Sequence, residues 1–405
     1  MFDPCITHQF KNPCRFLTCR GFFLARPPVC KLQSAATIRQ SGVQRRLARY
    51  ICRPYLQRCI HDHLHNPLHQ GHAPAHEFFR GERVPCFEKP ERVDYVEDAL
   101  RTRGHAMVLP DVDCNAVLAQ VHAPRYLAFL QTAWQQWLAL DPTNASVQPF
   151  PSVWPVRTLR SDVEPDNFVA RLGLYSMDNG TPMAAGTWAA AKAGADAAAS
   201  AAARVALGTH AAFCCTRPPG HHAGPDFMGG YCFLNNAAVA AQTLRNQGAQ
   251  RVAVLDVDYH HGNGTQSIFY DRSDVLFISM HGDPRTEYPF YLGHADETGE
   301  GAGVGFNLNL LLPAGTSAAT WFDALEQACL RITDYRADGL VISLGLDAFE
   351  GDPISRFALA SSDFTRLGER LARLGLPTVF VLEGGYAAAE LGTNAVNVLD
   401  GFEQA

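Results

Sequence analysis

No apolar run in this sequence approaches the ~20 residues that a bilayer-spanning helix needs, so a membrane-spanning helix is excluded and no membrane partner is expected. Charge is sparse as well. Only 18% of residues are charged and the formal net charge is -6, which argues against a general nucleic-acid binder. Acids are almost missing from residues 1–60, where Asp3 alone faces eleven Lys/Arg for a formal +10. Subtracting that +10 from the net -6 leaves -16 on the rest, a balance that favours cationic partners. No internal repeat is visible. Of the twelve cysteines, six (Cys5, Cys14, Cys19, Cys30, Cys52, Cys59) fall in the first 60 residues at no recognisable metal-binding spacing. The other six lie singly or adjacent in apolar surroundings and read as reduced, buried thiols of a cytoplasmic protein.

What is present divides the chain in two. Residues 1–60 are Arg-rich, acid-poor and without steady periodicity. Arg15 and Arg20 interrupt the one apolar stretch that could serve a secretory signal. The segment reads as a disordered N-terminal extension not needed for the fold, with an organelle transit peptide as the alternative. Residues 61–405 read as a single catalytic domain. It opens on His61, His63, His65, His69, His72 and His76. That stretch is expected to be a polar loop; a second metal site or a substrate-channel loop are the alternatives.

Helical spacing of Val93, Val96 and Leu100 predicts a helix over 91–103, stopped by Gly104. More helix is expected within 110–136, and an alanine-rich helix over 184–207. Residues 141–183 are rich in Pro, Asp and Asn and are expected to form a long loop region, a kind of segment often functional. Its acidic run Asp162-Val-Glu-Pro-Asp166 reads as a solvated loop, able also to attract a cation. From residue 211 onward, apolar β-branched runs at 211–215, 252–257, 275–279, 340–344 and 378–382 alternate with helical stretches at 237–247, 318–335 and 363–374. That alternation predicts an α/β fold with a mainly parallel sheet covered on both faces.

Each of these strands runs into a cluster of polar residues. They deliver His221 and His222; Asp256, Asp258, His260 and His261; His281; Asp347; and Tyr386. Ligands of open parallel sheets bind outside the carboxyl ends of the strands, so one rim is expected to carry the chemistry. Asp256, Asp258 and His260 alternate as at a strand end and can share one face, and with Asp347 they could give a His-plus-two-carboxylate metal site with an open position, as in catalytic zinc, although mixed N/O ligation also suits iron, cobalt or manganese. Beside a metal, His221 and His222 become candidate acid–base groups, and Tyr386, after two glycines, a hydroxyl donor.

The passages 217–236 (RPPGHHAGPDFMGGYCFLNN), 256–264 (DVDYHHGNG), 343–352 (SLGLDAFEGD) and 383–386 (EGGY) resemble the signatures of the histone deacetylase superfamily. Tyr259, Asn263 and the passage 282–299 resemble its bacterial acetylpolyamine amidohydrolase branch. The resemblance implies an arginase/deacetylase-like three-layer fold with an eight-stranded sheet. It implies one zinc ion on Asp258, His260 and Asp347, and His221, His222 and Tyr386 as catalytic groups. Asp256 would support His221. Tyr231 and Tyr288 would wall the acyl-amine tunnel, and the Gly230 carbonyl would accept the substrate amide proton. A structural potassium ion on Asp256, Asp258, His260 and Ser279 is implied too, as is a homodimer. The expected reaction is hydrolysis of a small cationic N-acetylated amine, an acetylated polyamine first. An acetyl-lysine protein deacetylase, a silent acyl-amine binding protein and a dimanganese ureohydrolase are the rival readings. Some family members carry Asp where this chain has Asn263, which here leaves His222 without a charged partner and favours its neutral form.

Overall fold

A computed structural model describes residues 60–405. The expectation for residues 1–60 therefore lies outside the described residues, apart from the one at the boundary. Among the described residues ten strands form: β1 (Ile60–His65), β2 (His76–Phe79), β3 (Glu82–Pro85), β4 (Met107–Val108), β5 (Ala211–Cys215), β6 (Val252–Asp256), β7 (Val275–Gly282), β8 (Asn307–Leu312), β9 (Gly339–Leu344) and β10 (Thr378–Leu382). β2 and β3 are an antiparallel hairpin. The other eight make one sheet in the order β4-β1-β5-β10-β9-β6-β7-β8. Every pairing within it is parallel.

The apolar strands are explained by burial on both faces. Successive side chains point to opposite faces of a sheet. Phe213, Leu255, Ile342 and Phe380 join one core with Trp321, Phe364 and Leu399 from the helices Ala318–Tyr335, Ser361–Ala372 and Ala388–Gln404. Their neighbours Cys214, Val254, Val341 and Val381 join a second core. There they meet the helices Pro124–Leu140, Thr187–Ala206 and Asn236–Asn246. Alanines dominate the buried residues of Thr187–Ala206, which lets this helix approach its neighbours closely. The result is three layers around a parallel sheet, as expected.

The expected elements recur with small shifts. The strand expected over 252–257 stops at Asp256, and that over 275–279 runs on to Gly282. The largest correction concerns the histidine-rich entry. Its first part is no polar loop: Ile60–His65 is an inner strand paired with both β4 and β5, while His69 and His72 lie buried in the turn-and-loop segment that follows. His63 is buried against Phe213 and His105. Burial and the nearby His105 push its pKa down to about 3, so it sits in the core as a neutral ring. The loop expected over 141–183 contains a helix, Phe168–Leu174, capped by the Asn167 side chain. The six cysteines within the described residues are free, and all but Cys86 are buried. No helix among the described residues is long and apolar enough to cross a membrane.

Candidate active site

β5, β10, β9 and β6 are consecutive in the sheet, so the residues that follow them meet although they are far apart in the chain. After β5 comes the loop to His221 and His222. It is tied down by Glu383, at the end of β10, whose Oε2 accepts from the amides of Gly220 at 2.6 Å and His221 at 3.1 Å. The two imidazoles lie 4.0 Å apart, centre to centre. Their environments separate them. His221 Nδ1 is 2.9 Å from Asp256 Oδ2, and its Nε2 is 3.8 Å from Asp258 Oδ1. Burial alone would lower its pKa, but Asp258 and Asp256 lift it to about 10. His222 Nδ1 instead faces Asn263 Oδ1, 2.6 Å away. Burial, with His221 and His260 beside it, keeps His222 well below the ordinary range and therefore neutral.

After β6 and β9 come Asp258, His260 and Asp347, whose ligand-bearing atoms lie within 4.8 Å of one another. Backbone amides orient the carboxylates. Gly384 N donates to Asp258 Oδ2 at 2.9 Å, and Tyr259 N to Asp347 Oδ1 at 2.8 Å. Glycine is required beside them, since a Cβ on Gly345 would stand 2.2 Å from Asp258 Oδ2 and one on Gly384 2.5 Å from it. Among the described residues, the ion-pair partners of these two carboxylates are His221 and His260. As protein alone, the cluster balances charge with protons. Burial would lower the His260 pKa, but its bonds to Asp258 and Asp347 lift it to about 10. Burial and the adjacent Asp258 lift Asp347 to about 8. Two buried acids and one imidazole with no Lys or Arg at hand fit a divalent cation, which would displace those protons. A second group, His221, Cys232 and Glu383, fits less well. Cys232 donates to the Gly230 carbonyl, and burial keeps its thiol protonated.

Above the cluster opens a cavity of about 820 Å³ lined by His222, His260, Gly230, Tyr231, Tyr288 and Tyr386, with Glu77, Asp178 and Glu287 also on its walls. Gly230 and Tyr231 take left-handed backbone, with φ +52° and +67°. A Cβ on Gly230 would stand 2.1 Å from His222 Cδ2, so only glycine allows this approach. Tyr288 meets His222 edge to face at 5.1 Å. Tyr386 packs against Tyr231 at 5.6 Å and beneath the Arg92 guanidinium at 4.8 Å. Burial pushes its pKa well above the ordinary value of 10, so its hydroxyl stays a donor.

The structure thus brings six of the expected residues to the cavity and leaves His221, Asp256, Asp258 and Asp347 buried around them. Ser279 stands in register with Asp256 across β6 and β7, its hydroxyl 2.8 Å from His281 Nδ1. The run 162–166 does not reach the cavity: Asp162 pairs with Arg160, and Glu164 accepts from Tyr175. Sequence reasoning missed Glu77, Asp178 and a buried charge network. In that network Arg217 binds Glu88, Glu88 binds Arg92, and Arg92 donates to the carbonyls of Glu383 (2.6 Å) and Gly385 (2.7 Å). The i,i+4 spacing of Glu88 and Arg92 was its one visible signal.

A parallel α/β sheet with paired imidazoles, an acid–imidazole cluster and a tyrosine-walled cavity at its strand ends defines a hydrolase of the deacetylase fold. The histone deacetylase domain model matches residues 86–402. Acetylpolyamine amidohydrolase 2 of Pseudomonas aeruginosa is 53% identical over 336 residues, which is 83% of this chain and 96% of that protein. Acetylpolyamine amidohydrolase of Mycoplana ramosa is 44% identical over 326 residues, 80% of this chain and 94% of that one. The crystal structure of acetylpolyamine aminohydrolase from Burkholderia pseudomallei superposes with a TM-score of 0.80 at 39% identity, covering 84% of this chain and 98% of that one. The chain belongs to the histone deacetylase superfamily, with the bacterial acetylpolyamine amidohydrolases as the branch it resembles. It is a hydrolytic deacetylase.

Proposed function

We propose that this enzyme hydrolyses small cationic N-acetylated amines, acetylated polyamines first, to acetate and free amine, with a zinc ion held by Asp258, His260 and Asp347. The observation that carries the reading is the pairing of a neutral buried histidine with that acid–imidazole cluster at the floor of a tyrosine-walled cavity. The names of the relatives support the amine. When bound, the metal supplies Lewis acidity for the acetyl carbonyl and for water.

The chain's own residues do the rest. His222 is neutral, because burial disfavours its charge and Asn263 offers none in return, so Nε2 is free to take a proton from water. The same nitrogen then delivers that proton to the departing amine, which leaves poorly without it. His221, tied to Asp256, supplies positive charge beside the reacting centre. Tyr386 donates to the developing oxyanion. Tyr231 and Tyr288 flank the methylene chain, and the Gly230 carbonyl accepts the amide proton. The implied potassium site rests on family resemblance alone.

A panel of acetylputrescine, acetylspermidine and an acetyl-lysine peptide, offered to zinc-loaded and chelated enzyme at fixed salt, tests this. The two polyamines should turn over faster than the peptide, and chelation should abolish both activities. Preference for the peptide would overturn the substrate assignment. Turnover untouched by chelation would overturn the metal.

A further inference from the structure

Both tunnel tyrosines give their hydroxyls to a carboxylate. Tyr231 donates to Glu77 Oε1 at 2.9 Å, and Tyr288 to Asp178 Oδ2 at 2.7 Å. The second contact reaches further. The same Asp178 oxygen accepts from the Gly230 amide at 2.7 Å. Its other oxygen accepts from Gly180 N and from Thr181 Oγ1, each at 3.0 Å. A carboxylate offers about four lone-pair sites, so Asp178 is saturated by the protein itself. It has no position left for a substrate ammonium. The segment that carries it is anchored as well: Met177 N donates to the Met228 carbonyl and Met228 N to the Tyr175 carbonyl, each at 2.8 Å.

Two of the groups that Asp178 grips, Gly230 and Tyr288, also pack on His222. Gly230 lies against one side of the imidazole so closely that a Cβ would overlap it. Tyr288 meets the imidazole edge to face from its own loop. One carboxylate therefore joins three separate segments, around residues 178, 230 and 288, which enclose the proton-handling histidine.

We propose that Asp178 is a positioning residue for the reaction: it clamps Gly230 and Tyr288 around His222 and so sets both the tunnel wall and the orientation of the base. This rests on the functional reading above. Asp178 acts through its neighbours and does not recognise the amine.

The test compares D178A, D178N, Y288F and D178A/Y288F on two substrates of equal chain length, acetylputrescine and the uncharged N-acetylbutylamine. Loss of the clamp should lower kcat/KM of D178A by about 10- to 100-fold, the scale of an ångström-sized misplacement. The factor should be the same for both substrates and fall mainly on kcat, with zinc content unchanged. D178N keeps the volume but turns N–H donors toward existing donors, so it should fall between wild type and D178A. The double variant should lose no more than D178A, since Tyr288 is gripped through the same oxygen. Loss confined to acetylputrescine would make Asp178 an amine receptor and overturn the proposal, as would additive losses. A crystal structure of D178A gives a readout independent of turnover. Tyr288 displaced from His222 supports the clamp, and Tyr288 unmoved refutes it, even if wild-type enzyme cleaves neither substrate and the functional reading itself fails.

Discussion

Replacing Asn263 by Asp exchanges one NH₂ group for an oxygen and should shift the pH at which the enzyme works. Asn263 Oδ1 lies 2.6 Å from His222 Nδ1, and both side chains are buried. The hydrogen bond to His222 already exists, so at His222 the substitution adds charge; elsewhere it removes only the Nδ2 donor that faces Met177 Sδ at 3.1 Å. With about 4 Å between the centres of charge and an effective dielectric near 20, the added attraction is about 4 kcal/mol. That equals about 3 pKa units at about 1.36 kcal/mol each. Desolvation of the new carboxylate opposes this, so a net rise of about 2 units is expected. The sign follows from the role: His222 must be neutral to take a proton, and Asp favours its cation. The acid limb of kcat/KM should therefore move to higher pH. The assay is a pH profile of kcat/KM under metal saturation, because that ratio reports groups of the free enzyme. N263L, similar in volume and uncharged, is the control and should not raise the limb. An N263D limb that stays in place or moves down, with zinc content intact, would refute the assignment of His222 as the base.

Three further outcomes are expected. Tyr386→Phe should lower kcat by about 10²–10³ with metal still bound, as loss of one oxyanion donor does; a wild-type rate would remove Tyr386 from the chemistry. Glu88→Gln should destabilise the fold by about 3–5 kcal/mol, since it strands the buried Arg217 and Arg92. Burial would raise the Glu88 pKa, but Arg217 and Arg92 hold it at about 2 against an ordinary 4.5, so this stabilisation is present above pH 4.5 and lost as pH falls toward 2. Denaturant unfolding of both proteins across that window checks it; a wild-type midpoint no more acid-sensitive than that of the variant would contradict it. Finally, a chain starting at residue 57, where the compact unit 57–405 begins, should keep full activity, whereas one starting at residue 66 should fail to fold because β1 is lost. Loss of turnover in the first truncation would show that the basic extension is needed.

The sequence alone determined what local chemistry and period can express. Continuous apolar runs such as Thr378–Leu382 are strands because both their faces are buried. Glycines beside histidines and aspartates marked where backbone approaches a reacting group. The four motifs identified the chemistry because each is contiguous. Legibility ended where a residue's environment is supplied by distant chain. His63 and Leu64 lie in a strand that reads as polar, and β4 and β5 on either side of it make it an inner strand of the sheet. Glu77 and Asp178 gave no local signal, since their meaning lies in Tyr231, Gly230 and Tyr288, far along the chain. Sheet order, which places β5, β10, β9 and β6 side by side, is a result of crossover packing that no window of residues contains. It alone decided that two acids would share one imidazole and that the two histidines would have unlike partners. The physical reason is that charge and desolvation act through space, over a few ångströms, irrespective of separation in sequence.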